Sequence, residues 1–260
     1  MTADPAVAGD LAGRVVLVTG AGAGIGRALA LVCARAGADV VVAGPGDNAA
    51  ETTELVTVQG GSALFVRTDV TDDGQVAAAV DVAVARFGGL DAVVHNATSR
   101  LSSRAVPVDA IDEASWDDHL AVSLRGAYHC ARHGLVHLQA RHGRFIVMTS
   151  PAGMEGSVAL PAYGAVKGAL RGMVKSLAVE WGPLGVTAVC VSPLARTPAL
   201  DQASIENPAL EPRLRAVVPL GYVGDPALDI APVVAFLLGD GARYISGQTI
   251  VVDGGRYTGL

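Results

Sequence analysis

The chain is expected to be a doubly wound α/β protein, a parallel seven-stranded sheet with helices on both faces, in a single domain spanning 1–260. Three observations point there. Apolar β-branched runs alternate with segments of helical period, glycines punctuate the junctions, and the strand runs are apolar throughout. An antiparallel strand with one wet face would alternate polar with apolar residues. Val15-Val16-Leu17-Val18 and Val40-Val41-Val42 do not alternate, as burial on both faces requires.

The first strand, 14–19, runs into a Gly-rich turn and a helix over 25–36. A strand at 39–43 follows, then the turn Gly44-Pro45-Gly46 and a helix near 48–58. The third strand, 63–68, leads to a helix that Thr71 is placed to cap and that ends at Phe87-Gly88-Gly89. After the fourth strand, 90–95, the box Ser115-Trp116-Asp117-Asp118 is placed to start a long helix. A strand at 144–149, a helix over 162–181 and a strand at 186–192 continue the series. A Pro-rich loop, about 194–224, and a helix near 228–238 precede the last strand, 248–252. Connections of helical length between strands imply crossovers and a parallel sheet.

Composition narrows the function classes. Of 260 residues, 51% are hydrophobic and 17% charged, which excludes intrinsic disorder and allows a large core. The longest stretch free of Asp, Glu, Lys and Arg, 181–195, is interrupted by Pro183 and Pro193 and is too short to span a membrane. Asp4 and Asp10 precede the first basic residue, Arg14, so the start does not read as a secretory signal. Cys33, Cys130 and Cys190 are odd in number and fit no metal-ligand spacing, which points to reduced, buried thiols in a cytoplasmic protein. The net charge of −6 opposes a nucleic-acid partner.

Thr19-Gly20-Ala21-Gly22-Ala23-Gly24-Ile25-Gly26 falls where the first strand becomes the first helix. Glycines let backbone approach a pyrophosphate, and a helix N-terminus offers unpaired N–H groups. No Gly-Lys-Ser/Thr follows, so the loop is not that of a phosphate-transferring P-loop. Tyr163 and Lys167 lie one helical turn apart. With five tyrosines and two lysines in the chain, such a pair would arise by chance about 0.04 times. Lowering a phenol from about 10 to neutrality takes roughly 4 kcal/mol, and a cation about 4 Å away supplies roughly that at an effective dielectric near 20. Lys167 is therefore expected to acidify Tyr163. Ser150, at the end of the fifth strand, is placed to face the same cleft, since ligands of parallel sheets bind at the strands' carboxyl ends.

The G-x-x-x-G-x-G spacing of Gly20, Gly24 and Gly26 resembles the short-chain dehydrogenase/reductase family, of its classical type. Asp69-Val70, His95-Asn96-Ala97-Thr98, the Ser150–Tyr163–Lys167 spacing and Asp253-Gly254-Gly255 extend the resemblance along nearly the whole chain. It implies a Rossmann-type domain binding NAD or NADP. Ser150 would orient the substrate, Tyr163 act as acid/base, and Lys167 also hold the nicotinamide ribose. Cofactor contacts would come from Gly20, Gly22, Gly24, Ile25, Gly26, Asp69, Val70, Asn96, Ala97, Pro193 and Thr197, with Tyr163 and Lys167. A homotetramer or homodimer is also implied.

The chain departs from the family pattern in three places. Ser123 stands where members carry an Asn that holds a relay water, and it is expected to serve in that role. Thr98 replaces a Gly, and Leu194 replaces the Gly after Pro193. Counting about 20 residues from Gly20 reaches Asp39, which begins its strand; the ribose end holds Gly44-Pro45, with Asp47 the nearest acid and no Arg or Lys in the turn. This favours NAD. His129, His133 and His137 recur every fourth residue, either as a polar or pH-sensitive contact face or as metal ligands; no metal is expected. Segments 98–112 and 194–224, with Leu101, Leu200, Leu210, Leu214, Val217 and Val218, are expected to frame a pocket for a small apolar carbonyl or alcohol. The activity expected is interconversion of carbonyl and alcohol by hydride transfer. The alternatives are a dinucleotide-binding regulatory or scaffold protein without turnover, and an isomerase or dehydratase.

Overall fold

The computed structural model describes residues 10–259; the reading of the N-terminus at Asp4 lies outside them. Seven strands form one parallel sheet in the order β3-β2-β1-β4-β5-β6-β7. They are β1 Val15–Thr19, β2 Asp39–Gly44, β3 Ser62–Arg67, β4 Ala92–His95, β5 Arg144–Met148, β6 Thr187–Pro193 and β7 Thr249–Val252. The order reverses between β1 and β4, which opens a crevice at the carboxyl ends of those two strands.

Helices cover both faces because each central strand is apolar in both directions. Val16 and Val18 face one core with α1 (Gly24–Arg35), α2 (Asp47–Val58) and α10 (Ala231–Leu238). Val15 and Leu17 face the other with α3 (Asp73–Phe87), α5 (Gly126–Arg141) and α7 (Pro161–Trp181). There Trp181 is buried edge-on to Phe145, ring centroids 5.5 Å apart.

Three local expectations change. The cap of α3 is Asp72, whose Oδ1 accepts from Gln75 N at 3.1 Å, because Thr71 is held back by Asp69. The cap of α4 (Glu113–His119) is Asp112, accepting from Ser115 N at 2.6 Å, so this helix begins before the expected Ser115 box. The Pro-rich loop contains two short helices, α8 (Pro198–Glu206) and α9 (Leu210–Val217), each with a proline in its first turns or flanks where the missing N–H costs nothing. Between α4 and α5 the chain makes a π-helical turn, Leu120–Arg125, and a second π turn, Pro226–Ile230, leads into α10. A short α6 (Ala152–Glu155) precedes α7.

Candidate active site

The Gly-rich loop sits at the head of the crevice. Gly20 and Gly24 have φ of +62° and +52°, in the left-handed region that favours glycine. A Cβ on Gly26 would meet the Gly20 carbonyl oxygen at 2.2 Å, so α1 can pack this close to β1 only without a side chain. The N-cap of α1 is Ala23, with no side chain to satisfy the first N–H groups of this 12-residue helix. Free amides above a cradle without Cβ atoms fit a pyrophosphate. Ile25 is half-buried in this first turn and packs against the core beneath it. Asn96 fastens the loop from below: its Nδ2 donates to the carbonyls of Thr19 (3.2 Å) and Gly20 (3.1 Å). Ala97 donates its N–H to Thr19 Oγ1 at 3.2 Å and presses its backbone against Gly20. Thr197 caps α8 through Leu200 N at 3.2 Å and lies with Pro198 over Gly24. Pro193 ends β6, and Leu194 N continues the pairing by donating to Val252 O at 2.9 Å.

The outer cofactor positions divide. Asp69 is exposed, and its Oδ1 accepts from the backbone and hydroxyl of Thr71. Val70 is buried against Gly126, and its carbonyl meets His129 Nδ1 at 2.9 Å. At the ribose turn the structure corrects the sequence reading. The parallel register places Arg67 beside Gly44, and its guanidinium donates to the Pro45 carbonyl at 2.6 Å and to Asp47 at 2.5 Å. A cation therefore does reach this turn, from β3 rather than from the turn itself.

Ser150, Tyr163 and Lys167 converge past the end of β5. Lys167 is 3% exposed, and its Nζ donates to Met148 O at 2.9 Å and lies 5.6 Å from the centroid of the Tyr163 ring. Thr149 Oγ1 donates to Lys167 O at 2.9 Å, and a Cβ on Gly153 would meet Lys167 C at 2.5 Å, so α6 clamps this turn of α7. Ser150 neighbours the Tyr163 hydroxyl, and its Oγ accepts from Ala152 N at 3.2 Å. The expected direction of the phenol's shift is overturned. Burial raises Tyr163 above its ordinary value, Ser150 opposes this, and the Lys167 ammonium, stationed over the ring rather than at the hydroxyl, is not among the causes. Burial also brings Lys167 down to about 8, so it stays largely protonated at neutral pH.

Two departures from the family pattern touch each other. Thr98 Oγ1 and Ser123 Oγ lie 3.2 Å apart, so the larger residue at 98 occupies space left by the smaller one at 123. Ser123 sits in the π turn, whose irregular ladder frees its carbonyl to meet His95 Nε2 at 3.0 Å. His95 Nδ1 faces Thr19 Oγ1 at 3.2 Å, and burial together with the Lys167 charge drives the imidazole down to about 3. His95 is thus a neutral strut between β1 and the π turn.

Two of the three histidines of the stripe contact the chain itself: His133 Nε2 is 2.7 Å from Asp73 Oδ1, and His129 is buried with Nδ1 2.9 Å from Val70 O. Among the described residues no group of three or more His, Cys, Asp or Glu could hold a metal ion. A small cleft, about 20 Å³ in volume, adjoins Tyr163 and is lined by Leu101, Val106, Ile111 and Leu160, together with His119. Leu101 alone of the six expected pocket residues lines it, while Val218 is buried against Gly254. Sequence reasoning quoted His95 only within its motif, gave it no role, and passed over His119 and Arg67. The register of β2 on β3 was the available signal for Arg67.

The doubly wound sheet, phosphate cradle and Ser–Tyr–Lys cluster define a dinucleotide-dependent oxidoreductase. The family model described as Enoyl-(Acyl carrier protein) reductase matches residues 20–257. The chain is 34% identical over 249 residues to cis-4-hydroxycyclohexanecarboxylate dehydrogenase of Sinomonas cyclohexanicum, covering 95% of this chain and 97% of that protein. It is 34% identical over 247 residues to the 3-oxoacyl-(acyl-carrier-protein) reductase FabG of Staphylococcus aureus, covering 94% and 98%. The solved 7α-hydroxysteroid dehydrogenase, complexed with NADH and 7-oxo glycochenodeoxycholic acid, superposes with a TM-score of 0.88 at 29% identity, covering 94% of each chain. The chain belongs to the short-chain dehydrogenase/reductase family and is an NAD(P)-dependent enzyme acting on CH–OH groups. No helix among the described residues is long and apolar enough to cross a membrane.

Proposed function

We propose that this protein interconverts a ring alcohol and its ketone, with Tyr163 as general acid/base and NAD as the hydride carrier. The observation that carries the reading is the meeting of Tyr163, Ser150 and Lys167 beside an apolar cleft at the carboxyl edge of the sheet. Gly20, Gly22, Gly24, Ile25 and Gly26 would hold the pyrophosphate, with Asn96, Ala97, Pro193 and Thr197 around the nicotinamide half and Asp69 and Val70 toward the adenine. When bound, the dinucleotide supplies or accepts the hydride. Tyr163 Oη–H donates its proton to the carbonyl oxygen during reduction, and its phenolate takes the hydroxyl proton during oxidation. Ser150 hydrogen-bonds that same oxygen and orients it. The buried Lys167 ammonium, held by the Met148 carbonyl, would anchor the ribose. Thr98 and Ser123 present two hydroxyls for a relay water; unchanged turnover and pH profile in Ser123→Ala would remove that role.

Two of the named relatives act on hydroxylated rings, and the cleft beside Tyr163 is walled largely by apolar side chains. NAD is favoured because Arg67 is already matched by Asp47, leaving no net positive charge for a 2′-phosphate. Three buried free thiols favour a reducing, cytoplasmic setting. The exposed Tyr128 and Val136 of α5 and Val179 of α7 favour a homo-oligomer built on these helices, which light scattering would test.

The test is NADH oxidation, followed at 340 nm, with cyclohexanones, a steroid ketone and a 3-oxoacyl thioester. Turnover of the cyclic ketones is expected. NADH binding without oxidation of any of them would instead support a dinucleotide-binding protein without turnover, and preference for the thioester would move the substrate class to acyl chains.

A further inference from the structure

His119 is the last residue of α4 and is 4% exposed, yet it borders the cleft. Its ring stands edge-on to Tyr163, centroids 6.2 Å apart and planes inclined by 60°. The position follows from the chain's path: α4 contacts α7, and the π turn begins at the next residue, so residue 119 is aimed at the first turn of α7. Its Nδ1 is buried and has no hydrogen-bond partner among the described residues. Leaving a buried polar atom unpaired costs about 1–3 kcal/mol, so a site that keeps one has a use for it. Burial, opposed by Asp118 and aided by the Lys167 charge, lowers the ring's basicity and favours its neutral form. A neutral imidazole offers one donor and one acceptor and no net charge. Arg104, Ser115 and Tyr163 are the other polar residues lining the cleft, and the rest of its lining is apolar.

We infer that His119 is a substrate-binding and specificity-determining residue. Its ring hydrogen-bonds a second oxygen function, a hydroxyl or carboxylate, carried by the ring substrate away from the carbon that exchanges hydride. The inference rests on the reading of Tyr163 as the acid/base, because the second oxygen is located relative to that group. A buried nitrogen left unpaired by a substrate lacking the oxygen penalises that substrate, which is how a polar site rejects an apolar analogue.

The experiment compares cyclohexanol, cis-4-hydroxycyclohexanecarboxylate and 1,4-cyclohexanediol as substrates for the wild-type enzyme, His119→Leu and His119→Asn. The wild type is expected to have a kcat/KM about tenfold higher for one or both oxygen-bearing rings than for cyclohexanol. His119→Leu should erase that ratio, raising KM for the oxygen-bearing rings and, with the unpaired nitrogen gone, lowering it for cyclohexanol. His119→Asn, which keeps a polar group near Nδ1, should restore part of the ratio and stands in if the Leu variant does not fold. An unchanged ratio in both variants, or an equal loss of kcat on all three alcohols, overturns the inference. Absence of turnover of all three by the wild type would overturn the ring-alcohol reading instead. Which oxygen-bearing ring is preferred separates a hydroxyl from a carboxylate.

Discussion

Around the Gly-rich loop the polar groups close on one another: Asn96 holds Gly20, Thr19 receives two backbone amides, and His95 braces Thr19 against the π turn. The substrate side, 98–119 and 156–163, is built differently. It holds the orphan nitrogen of His119 and a non-glycine residue, Ala159, at φ +56°, whose carbonyl accepts from Val106 N at 2.6 Å. Holding alanine in that region costs about 1–2 kcal/mol. The dinucleotide side is pre-organised, its side chains bonded to one another and only the first amides of α1 left free. The substrate side keeps strain and unpaired atoms for a ligand to resolve. One side is made to bind the same molecule in every turnover, and the other to discriminate.

The sharpest break on the cofactor side is Gly26→Ala. Its Cβ would have to displace the Gly20 carbonyl 2.2 Å away and Asn96 Nδ2 at 2.6 Å, so NADH affinity measured by calorimetry should fall by about 100-fold or more. Gly168→Ala on α7, with its nearest neighbour at 3.5 Å, should leave affinity unaltered.

His95 gives the next effect. Its folded pKa, about 3, lies below the ordinary 6.5, so the unfolded chain binds the extra proton. Stability is therefore complete above about pH 6.5 and falls as pH drops toward 3, by up to about 5 kcal/mol. His95→Asn can still donate to Ser123 O and should flatten this limb in urea unfolding followed from about pH 7 to 4. An equally steep limb in the variant would place the acid sensitivity elsewhere.

A smaller coupling is expected at the two departures that meet. Ser123→Asn alone must push against Thr98 and should cost about 1–3 kcal/mol, whereas Ser123→Asn with Thr98→Gly should recover most of it in a thermal double-mutant cycle. Additive losses would show that the 3.2 Å contact carries no energy. The smallest change lies at the ribose turn. Asp47→Asn leaves Arg67 without its anionic partner, and the NADPH-to-NADH preference should rise by about tenfold, roughly 1.4 kcal/mol.

These two sides also differ in how far they could be read from the chain. The alternation of strands and helices, the phosphate loop and the Tyr163–Lys167 pair are written in contiguous residues, so local period and one helical turn suffice to place them. Caps were misplaced by a few residues because Thr71 and Ser115 compete with stronger neighbours, Asp72 and Asp112. Arg67 at the ribose turn, the pairing of Thr98 with Ser123, and His119 beside Tyr163 depend on register and packing across 20 or more residues. No local pattern announces them. The direction of the Tyr163 shift was also beyond a spacing argument, since spacing sets the distance to Lys167 but neither its placement over the ring nor the burial of the phenol.

The account turns on Tyr163 as the group that moves the proton, and the most direct measurement is the pH dependence of alcohol oxidation by the wild type and Tyr163→Phe between about pH 6 and 10. The wild-type kcat/KM should climb with pH as the phenol ionises. The Phe variant should run roughly 10²–10⁴-fold slower without that climb, while binding NADH as tightly as the wild type. A Phe variant that keeps the wild-type rate and the same rising limb would contradict the assignment.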